Sequence, residues 1–394
     1  MIKRTLAAAI EQALTKYPVV TLTGPRQSGK TTLARALFPE FAYVSLEDPD
    51  QRQKAQSDPR AFLNQFKNSV IFDEIQRTPE LTSYLQGIVD EPNCQQKFVL
   101  TGSHQLLLME AVSQSLAGRT RVFELLPFTL DELAPQIRSH HLTLNDLLWT
   151  GGYPRIWDRQ LSPTEWHKEY FRLYVERDIR SIIKIMDLDK FERFIRLTAG
   201  RVGQLINLNS LGNEAGVTQP TAESWLTALK TTFITFTLQP HFKSFNKRVV
   251  KTPKLYFYDT GMLCYLLGIT DPQQLEIHPL RGSIFENFII AELIKKEFHR
   301  GREPKYYFWR DQKGHEVDLL RDDSTSLFPM EIKMAQTFQK RFIEQLIFFN
   351  SLQGKSDTPL GSVYCCVDKG FEFKDYEIHS WQNLAEPLAP TRPQ

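Results

Sequence analysis

Two groups of residues in this sequence combine types and spacings that could do chemistry. The first is Gly24-Pro25-Arg26-Gln27-Ser28-Gly29-Lys30-Thr31-Thr32, inside the stretch VVTLTGPRQSGKTTLARALF. The glycines let backbone N–H groups close around phosphate oxygens, and a helix starting near Lys30 presents its positive end to them. Lys30 would reach the β and γ phosphates of ATP, and Thr31 would ligate Mg²⁺. The second group is Asp318, thirteen positions before Glu331-x-Lys333. Two carboxylates on adjacent strands would hold a divalent metal against a scissile phosphate. A lysine two residues after the second carboxylate shares its strand face and would position or activate water. Glu286, on a helix ahead of them, would complete the metal shell, and Gln345 on a following helix is a further candidate.

The first group needs a particular frame. Val19 to Thr23 is a short apolar, β-branched run, as in a buried parallel strand, and Leu33, Ala34 and Leu37 follow at helical spacing. This strand–loop–helix context is the one a phosphate loop requires. A second strand, SVIFDEIQR, ends in Asp73 and Glu74 about forty residues later. Asp73 would hold Mg²⁺ through water, and Glu74 would polarise the attacking water. A third apolar run, KFVLTGSH, ends in Thr101 and Ser103, at the strand end where open α/β sheets bind ligands. Ser103 is assigned as a sensor of the γ-phosphate. Arg119 and Arg121 precede a fourth strand in SLAGRTRVFELLPF. Arg119 is the candidate for stabilising transition-state charge, in cis or across a subunit interface.

The segments GPRQSGKTTL, LEDPDQR, IFDEIQRTPEL, LTGSHQ, SLAGR and GGYPR together resemble a family of bacterial and archaeal AAA-type ATPases with a conserved C-terminal domain. ERDI (176–179), YFYDTGMLCYLLG and FENFIIAEL extend the resemblance over nearly the whole chain. It implies ATP hydrolysis, a homo-oligomer with a hexamer favoured, and a helical lid near Gly151-Gly152-Tyr153-Pro154. It implies no substrate. Near the C-terminus the pattern reads helix, strand (Tyr306 to Trp309), strand (Glu316 to Leu320), strand (SLFPMEIK), helix, and SVYCCVD as the closing strand. That order resembles the core of the PD-(D/E)xK nucleases, although Val317 stands where their motif has proline.

Between these ends lies helix-turn-helix grammar. Leu208 to Ala215 forms a short helix, Gly216-Val217 a turn, and a second helix begins at Thr218 or Gln219 with Pro220 in its first turn. Two following strands would make a wing. From Ser224 to Tyr258 there is no Asp or Glu, while Lys243, Lys247, Arg248, Lys251 and Lys254 fall in that window with Phe242 and Phe245 between them. A basic hairpin beside such a helix fits a phosphate backbone, and Gln219 and Thr221 would face a groove. The same features serve equally in a protein-docking module with a solvated basic face.

The expected fold class is therefore α/β: a P-loop ATPase core with a parallel sheet (1–135), a helical lid and connector (136–200), a winged-helix domain (201–275), a restriction-endonuclease-like α/β domain (276–385) and a tail (386–394). Net charge is +2, so any nucleic-acid surface is local rather than global. Four cysteines match no zinc or disulfide spacing, the N-terminus lacks the pattern of a signal peptide, and no apolar run reaches membrane length. A cytoplasmic protein acting on duplex or branched DNA is the first expectation. A nucleotide-driven switch that docks protein partners is the alternative.

Overall fold

The computed structural model describes residues 2–103, 105–175, 179, 187–241, 250–353 and 359–385. ERDI apart from Ile179, the basic residues Lys243, Lys247 and Arg248, and the 386–394 tail lie outside them.

The N-terminal third is built on a parallel five-stranded sheet: β1 (Val19–Thr23), β2 (Ala42–Ser45), β3 (Val70–Asp73), β4 (Phe98–Thr101) and β5 (Thr120–Glu124), in the order β2-β3-β4-β1-β5. Every residue of β1, β3 and β4 is buried, because helices cover both faces and the strands are apolar throughout. These helices include α1 (Ala7–Lys16), α2 (Lys30–Leu37), α3 (Pro49–Ser57), α4 (Pro59–Asn64), α5 (Leu81–Val89) and α6 (Gln105–Ser115). The register aligns Val19 with both Phe98 and Thr120, and Val70 with Phe98. The carboxyl ends of β1, β3 and β4 are thus brought side by side, which is where this sheet type gathers ligand-binding residues.

Helices α7 (Leu130–His140), α8 (Leu144–Thr150), α9 (Pro154–Arg159) and α10 (Pro163–Tyr170) follow as a cap. Then come α11 (Leu188–Ala199), α12 (Leu208–Ala215), α13 (Gln219–Thr231) and a two-stranded antiparallel ribbon, β6 (Thr235–Leu238) with β7 (Lys254–Phe257). Thr218 caps α13, as its sequence predicts. α14 (Thr260–Leu266) leads to the 19-residue α15 (Arg281–His299).

A buried carboxylate ties this middle to the cap. Asp259 accepts N–H bonds from Gly152 (2.7 Å) and Met262 (2.9 Å) and lies 3.2 Å from His167 Nε2. A side chain at Gly151 would run into Asp259, and one at Gly261 would run into His167. The GGYP and YDTG motifs are therefore two halves of one clamp.

The C-terminal region is a six-stranded mixed sheet in the order β12-β13-β11-β10-β9-β8. Its strands are β8 (Tyr306–Arg310), β9 (Glu316–Asp322), β10 (Leu327–Lys333), β11 (Gly361–Cys365), β12 (Phe371–Phe373) and β13 (Tyr376–Ser380). Helix α16 (Glu344–Gln353) covers one face. The other face joins α15, the ribbon and the cap in one continuous core. β11 does not close the sheet as expected. β13 pairs parallel to it, and a short hairpin adds β12 at the edge. Among the described residues, no helix is long and apolar enough to cross a membrane.

Glu124 ends β5 opposite Thr23, and burial together with Glu303 pushes its carboxyl up to about 7. The folded protein holds that proton at pH values where the unfolded chain has released it. Stability is therefore highest below pH 4.5 for this group and declines as pH rises from about 4.5 to about 7. Glu124→Gln is expected to remove that decline, worth up to about 3 kcal/mol. Denaturant titrations of both proteins at stepped pH should show a gap that widens across this window and then levels off.

Candidate active site

The phosphate loop is shaped by its neighbours before any ligand is considered. Gly24 has φ +142°, and a Cβ there would lie 2.2 Å from the Leu125 carbonyl oxygen. Gln27 (φ 58°) and Gly29 (φ +94°) turn the chain into α2 through left-handed conformations. Lys30 is folded back and buried, with Nζ donating to the carbonyls of Gly24 (2.9 Å) and Pro25 (2.8 Å). Among the described residues, Ser28 Oγ is buried with no hydrogen-bond partner.

The strand ends converge on this loop. Asp73 Oδ1 accepts from Thr31 Oγ1 at 2.8 Å and also from the Thr101 hydroxyl, and Oδ2 accepts from Tyr43 OH at 2.9 Å. Burial beside Asp73 pushes the Tyr43 phenol up to about 12, so it stays a donor. Glu74 is a non-glycine residue in the left-handed region (φ 57°, ψ 46°), a conformation that costs on the order of 1 kcal/mol and turns its carboxylate out of the strand line. That carboxylate accepts from Ser103 Oγ at 2.9 Å and from the Gln76 amide. Burial raises the Glu74 carboxyl, but Lys30 and Arg26, together with the bonds from Gln76 and Ser103, hold it below the ordinary range. Glu74 is therefore an ionised acceptor at neutral pH.

These groups open on a cavity of about 1040 Å³. Lys30, Thr31 and Glu74 form one wall, and Arg155, Trp157 and Arg159 from α9 form the other. Sequence reasoning placed a lid here but gave no role to Arg155 or Arg159. The Arg in GGYPR, three residues after the clamped Gly152, was the available signal. The donor set fits a nucleoside triphosphate with Mg²⁺: a helix N-terminus and Lys30 for phosphate oxygens, Thr31 and Asp73 for the cation. The cation would supply charge neutralisation at the phosphates. The chain's own part is to hold an ionised Glu74 where it can orient and deprotonate water, with Ser103 fixing its rotamer.

For Arg119 the cis alternative is corrected. It precedes β5 and lies level with Val19, at the amino ends of the strands while the loop is at their carboxyl ends, a strand length of about 16 Å away. Its guanidinium makes two 2.7 Å bonds to Asp90. It cannot act in cis.

The second candidate group is brought together on the C-terminal sheet, but not as expected. β9 and β10 run antiparallel with Met330 opposite Leu319, which sets Asp318 and Glu331 on neighbouring strands. Lys333 Nζ bridges Asp318 Oδ2 (2.9 Å) and Glu331 Oε2 (2.5 Å), and Ile332 N–H also donates to Asp318 (2.9 Å). Burial and Asp318 push Glu331 well above the carboxylate range. Glu286 pairs instead with Tyr256 OH (2.6 Å) and with Lys254 (3.3 Å), which also holds Glu316 at 2.5 Å. Among the described residues no three His, Cys, Asp or Glu converge to hold a metal. In this arrangement Asp318, Glu331 and Glu286 do not fit a shared divalent cation. Buried carboxylates need cationic partners, and here two lysines supply them.

Lys254 is thereby a second correction. It is 3% exposed, so it is no surface contact for DNA. Lys251, Gln219 and Thr221 remain at the surface or partly so.

Comparison with known proteins gives three consecutive matches to family models: an AAA domain at residues 16–134, a domain of unknown function (DUF8612) at 141–273, and a domain of unknown function (DUF4143) at 281–384. The uncharacterised protein Rv2008c of Mycobacterium tuberculosis is 33% identical over 341 residues, covering 85% of this chain and 74% of its own length. Mb2031c of Mycobacterium bovis matches with the same values. A solved Walker-type ATPase of Pyrococcus abyssi is 17% identical and superposes with a TM-score of 0.46, covering 68% of this chain and 96% of its own.

Glu74→Gln is expected to keep nucleotide binding and to lose hydrolysis by roughly a hundredfold or more, because the amide cannot take a proton. Lys30→Ala is expected to lose binding as well. Steady-state phosphate release alongside titration with a fluorescent ATP analogue separates the two.

Proposed function

We propose that this chain, which belongs to the family of those two mycobacterial proteins and carries an AAA domain, is an Mg²⁺-dependent ATP-hydrolysing machine that acts on DNA. The observation that carries the ATPase part is the convergence of Lys30, the bonded Thr31–Asp73 pair and the ionised Glu74 held by Ser103 on one cavity. The DNA part is supported by the α12–α13 helix-turn-helix, whose exposed Gln219 and half-buried Thr221 precede a lysine-rich, acid-free stretch in the sequence. It is also supported by the nuclease-like strand order and by Asp318, Glu331 and Lys333 on its central strands. Because Lys333 neutralises Asp318 and burial holds Glu331 toward its protonated form, we assign the C-terminal sheet to holding DNA rather than to cutting it. The same neutralisation favours a second reading, in which the sheet docks a protein partner and ATP binding switches that docking.

Arg119 would then serve a neighbouring subunit. It sits at the sheet edge, with its head group partly exposed beside Asp90. Arg119→Ala is expected to bind ATP and fail to hydrolyse it. Mixing it with Lys30→Ala should restore part of the activity, since each supplies what the other lacks. Absence of any recovery in mixed oligomers rules the trans role out.

The deciding experiment presents labelled linear duplex, single-stranded and four-way-junction DNA to the full chain with Mg²⁺, with and without ATP. Salt-sensitive binding that changes with ATP is expected, lost in Lys30→Ala and retained in Asp318→Ala with no strand scission. Scission that disappears in Asp318→Ala would turn the assignment to a nuclease. No DNA binding even at low salt would leave the protein-docking reading.

A further inference from the structure

Helix α15 meets both candidate sites. Thirteen residues, about 20 Å of helix, separate Glu286 at the lysine-neutralised cluster from His299 at the last turn. His299 is completely buried, and it lies beneath the phosphate loop rather than against its own sheet.

Its bonds form a short relay. His299 Nε2 accepts the Leu126 N–H (3.2 Å) and faces Arg4 Nη2 at 3.4 Å. With two donors facing Nε2, the ring proton is left to Nδ1, which lies 3.4 Å from Glu132 Oε1, an electrostatic contact without hydrogen-bond alignment. The same Glu132 oxygen accepts from Arg4 Nε (3.1 Å) and from Thr5 N–H (2.8 Å), and the other oxygen accepts from Thr129 N–H (3.1 Å). Arg4 also donates to two carbonyls: Leu126 (2.6 Å), and Ser28 inside the phosphate loop (2.8 Å). Its guanidinium also lies 4.7 Å from the Phe128 ring centre.

The contact with Ser28 bears on nucleotide binding. In a planar trans peptide the C=O and N–H point in opposite directions. Holding the Ser28 carbonyl on Arg4 therefore fixes the direction of the Gly29 N–H, one of the loop donors for phosphate. Gly29 alone would leave that peptide free to rotate, since glycine tolerates both signs of φ. Arg4 in turn is held in place by Glu132 and His299.

We propose that His299, contributed by the C-terminal region, is a positioning residue of the nucleotide site, acting through Glu132 and Arg4 on the Ser28–Gly29 peptide. This rests on the reading of the loop as an ATP site. It assigns the C-terminal region a part in that site which neither the loop motif nor the AAA match includes.

The test uses the full-length protein with His299→Ala, His299→Gln and Asn287→Ala. Gln can accept from Leu126 and donate to Glu132, so it should restore what Ala removes. Asn287 lies on the same helix and bonds both backbone groups of Phe257 (2.7 and 3.1 Å), so its loss weakens packing without touching the relay. His299→Ala is expected to raise KM and the Kd for a fluorescent ATP analogue on the order of tenfold or more, with a smaller change in kcat. His299→Gln should stay near the parent. Asn287→Ala should lower Tm and leave KM alone. If His299→Ala does not fold, Arg4→Lys carries the test, because lysine keeps the charge but cannot span Glu132 and both carbonyls. Unchanged KM and Kd in a folded His299→Ala, or a KM rise in Asn287→Ala matching it, would overturn the proposal. Should the parent bind the analogue and not hydrolyse ATP, the hydrolysis reading fails, while the Kd comparison still decides this one.

Discussion

A helix buried on nearly every side constrains the whole molecule. α15 carries Glu292, Lys295, Lys296 and His299 into the interior along with its apolar residues. Each buried polar group must find a partner or cost several kcal/mol. Glu292 accepts the Leu130 N–H (2.8 Å) and pairs with Lys295, Lys295 donates to the Phe128 carbonyl (2.9 Å), and Lys296 lies 4.0 Å from Asp131. Apart from the Glu292–Lys295 pair within the helix, these partners belong to the turn after β5 and the start of α7. The ATPase sheet and the C-terminal sheet are thus held in one arrangement by polar matching, since apolar packing alone would tolerate sliding. The cap obeys the same logic through Asp259, whose bonds fix Gly152 and so the start of α9 at the cavity wall.

How far the sequence revealed this depends on how local each feature is. The phosphate loop, Asp73, Glu74 and Ser103 were legible because each follows an apolar strand within one or two residues, and parallel strands bring their ends together. α12 and α13 were legible from their cap and turn residues. A cis role for Arg119 fails for a reason the sequence contained: it precedes a parallel strand, whereas the loop follows one. Lys254 was misread because counting charge within a window ignores Glu286 and Glu316, which lie more than thirty residues away in the chain. The relay from Arg4 to His299 spans almost three hundred positions, and nothing in the local pattern of either residue marks it.

The two candidate sites also differ in how they handle buried charge. At the nucleotide loop the acids face donors that can be exchanged: Lys30 rests on carbonyls of its own loop, and Glu74 rests on a serine and an amide. A ligand can replace those contacts at small cost. On the C-terminal sheet the acids already face full cations, and one of them, Lys254, arrives from the ribbon outside the sheet. Displacing either lysine would leave charges uncompensated on both sides. The first site is built to change state; the second is built to keep one.

The three family matches divide the chain at residues 134–141 and 273–281, yet the bonds beneath the phosphate loop ignore those divisions. Arg4 lies ahead of the first match, Glu132 inside it and His299 inside the third. Inheritance of this architecture is correspondingly restricted. A recombination that grafted the last module onto an ATPase lacking counterparts of Arg4 and Glu132 would leave His299 without the groups that receive it here. The modules can diverge in their exposed surfaces, but at this junction they must change in concert.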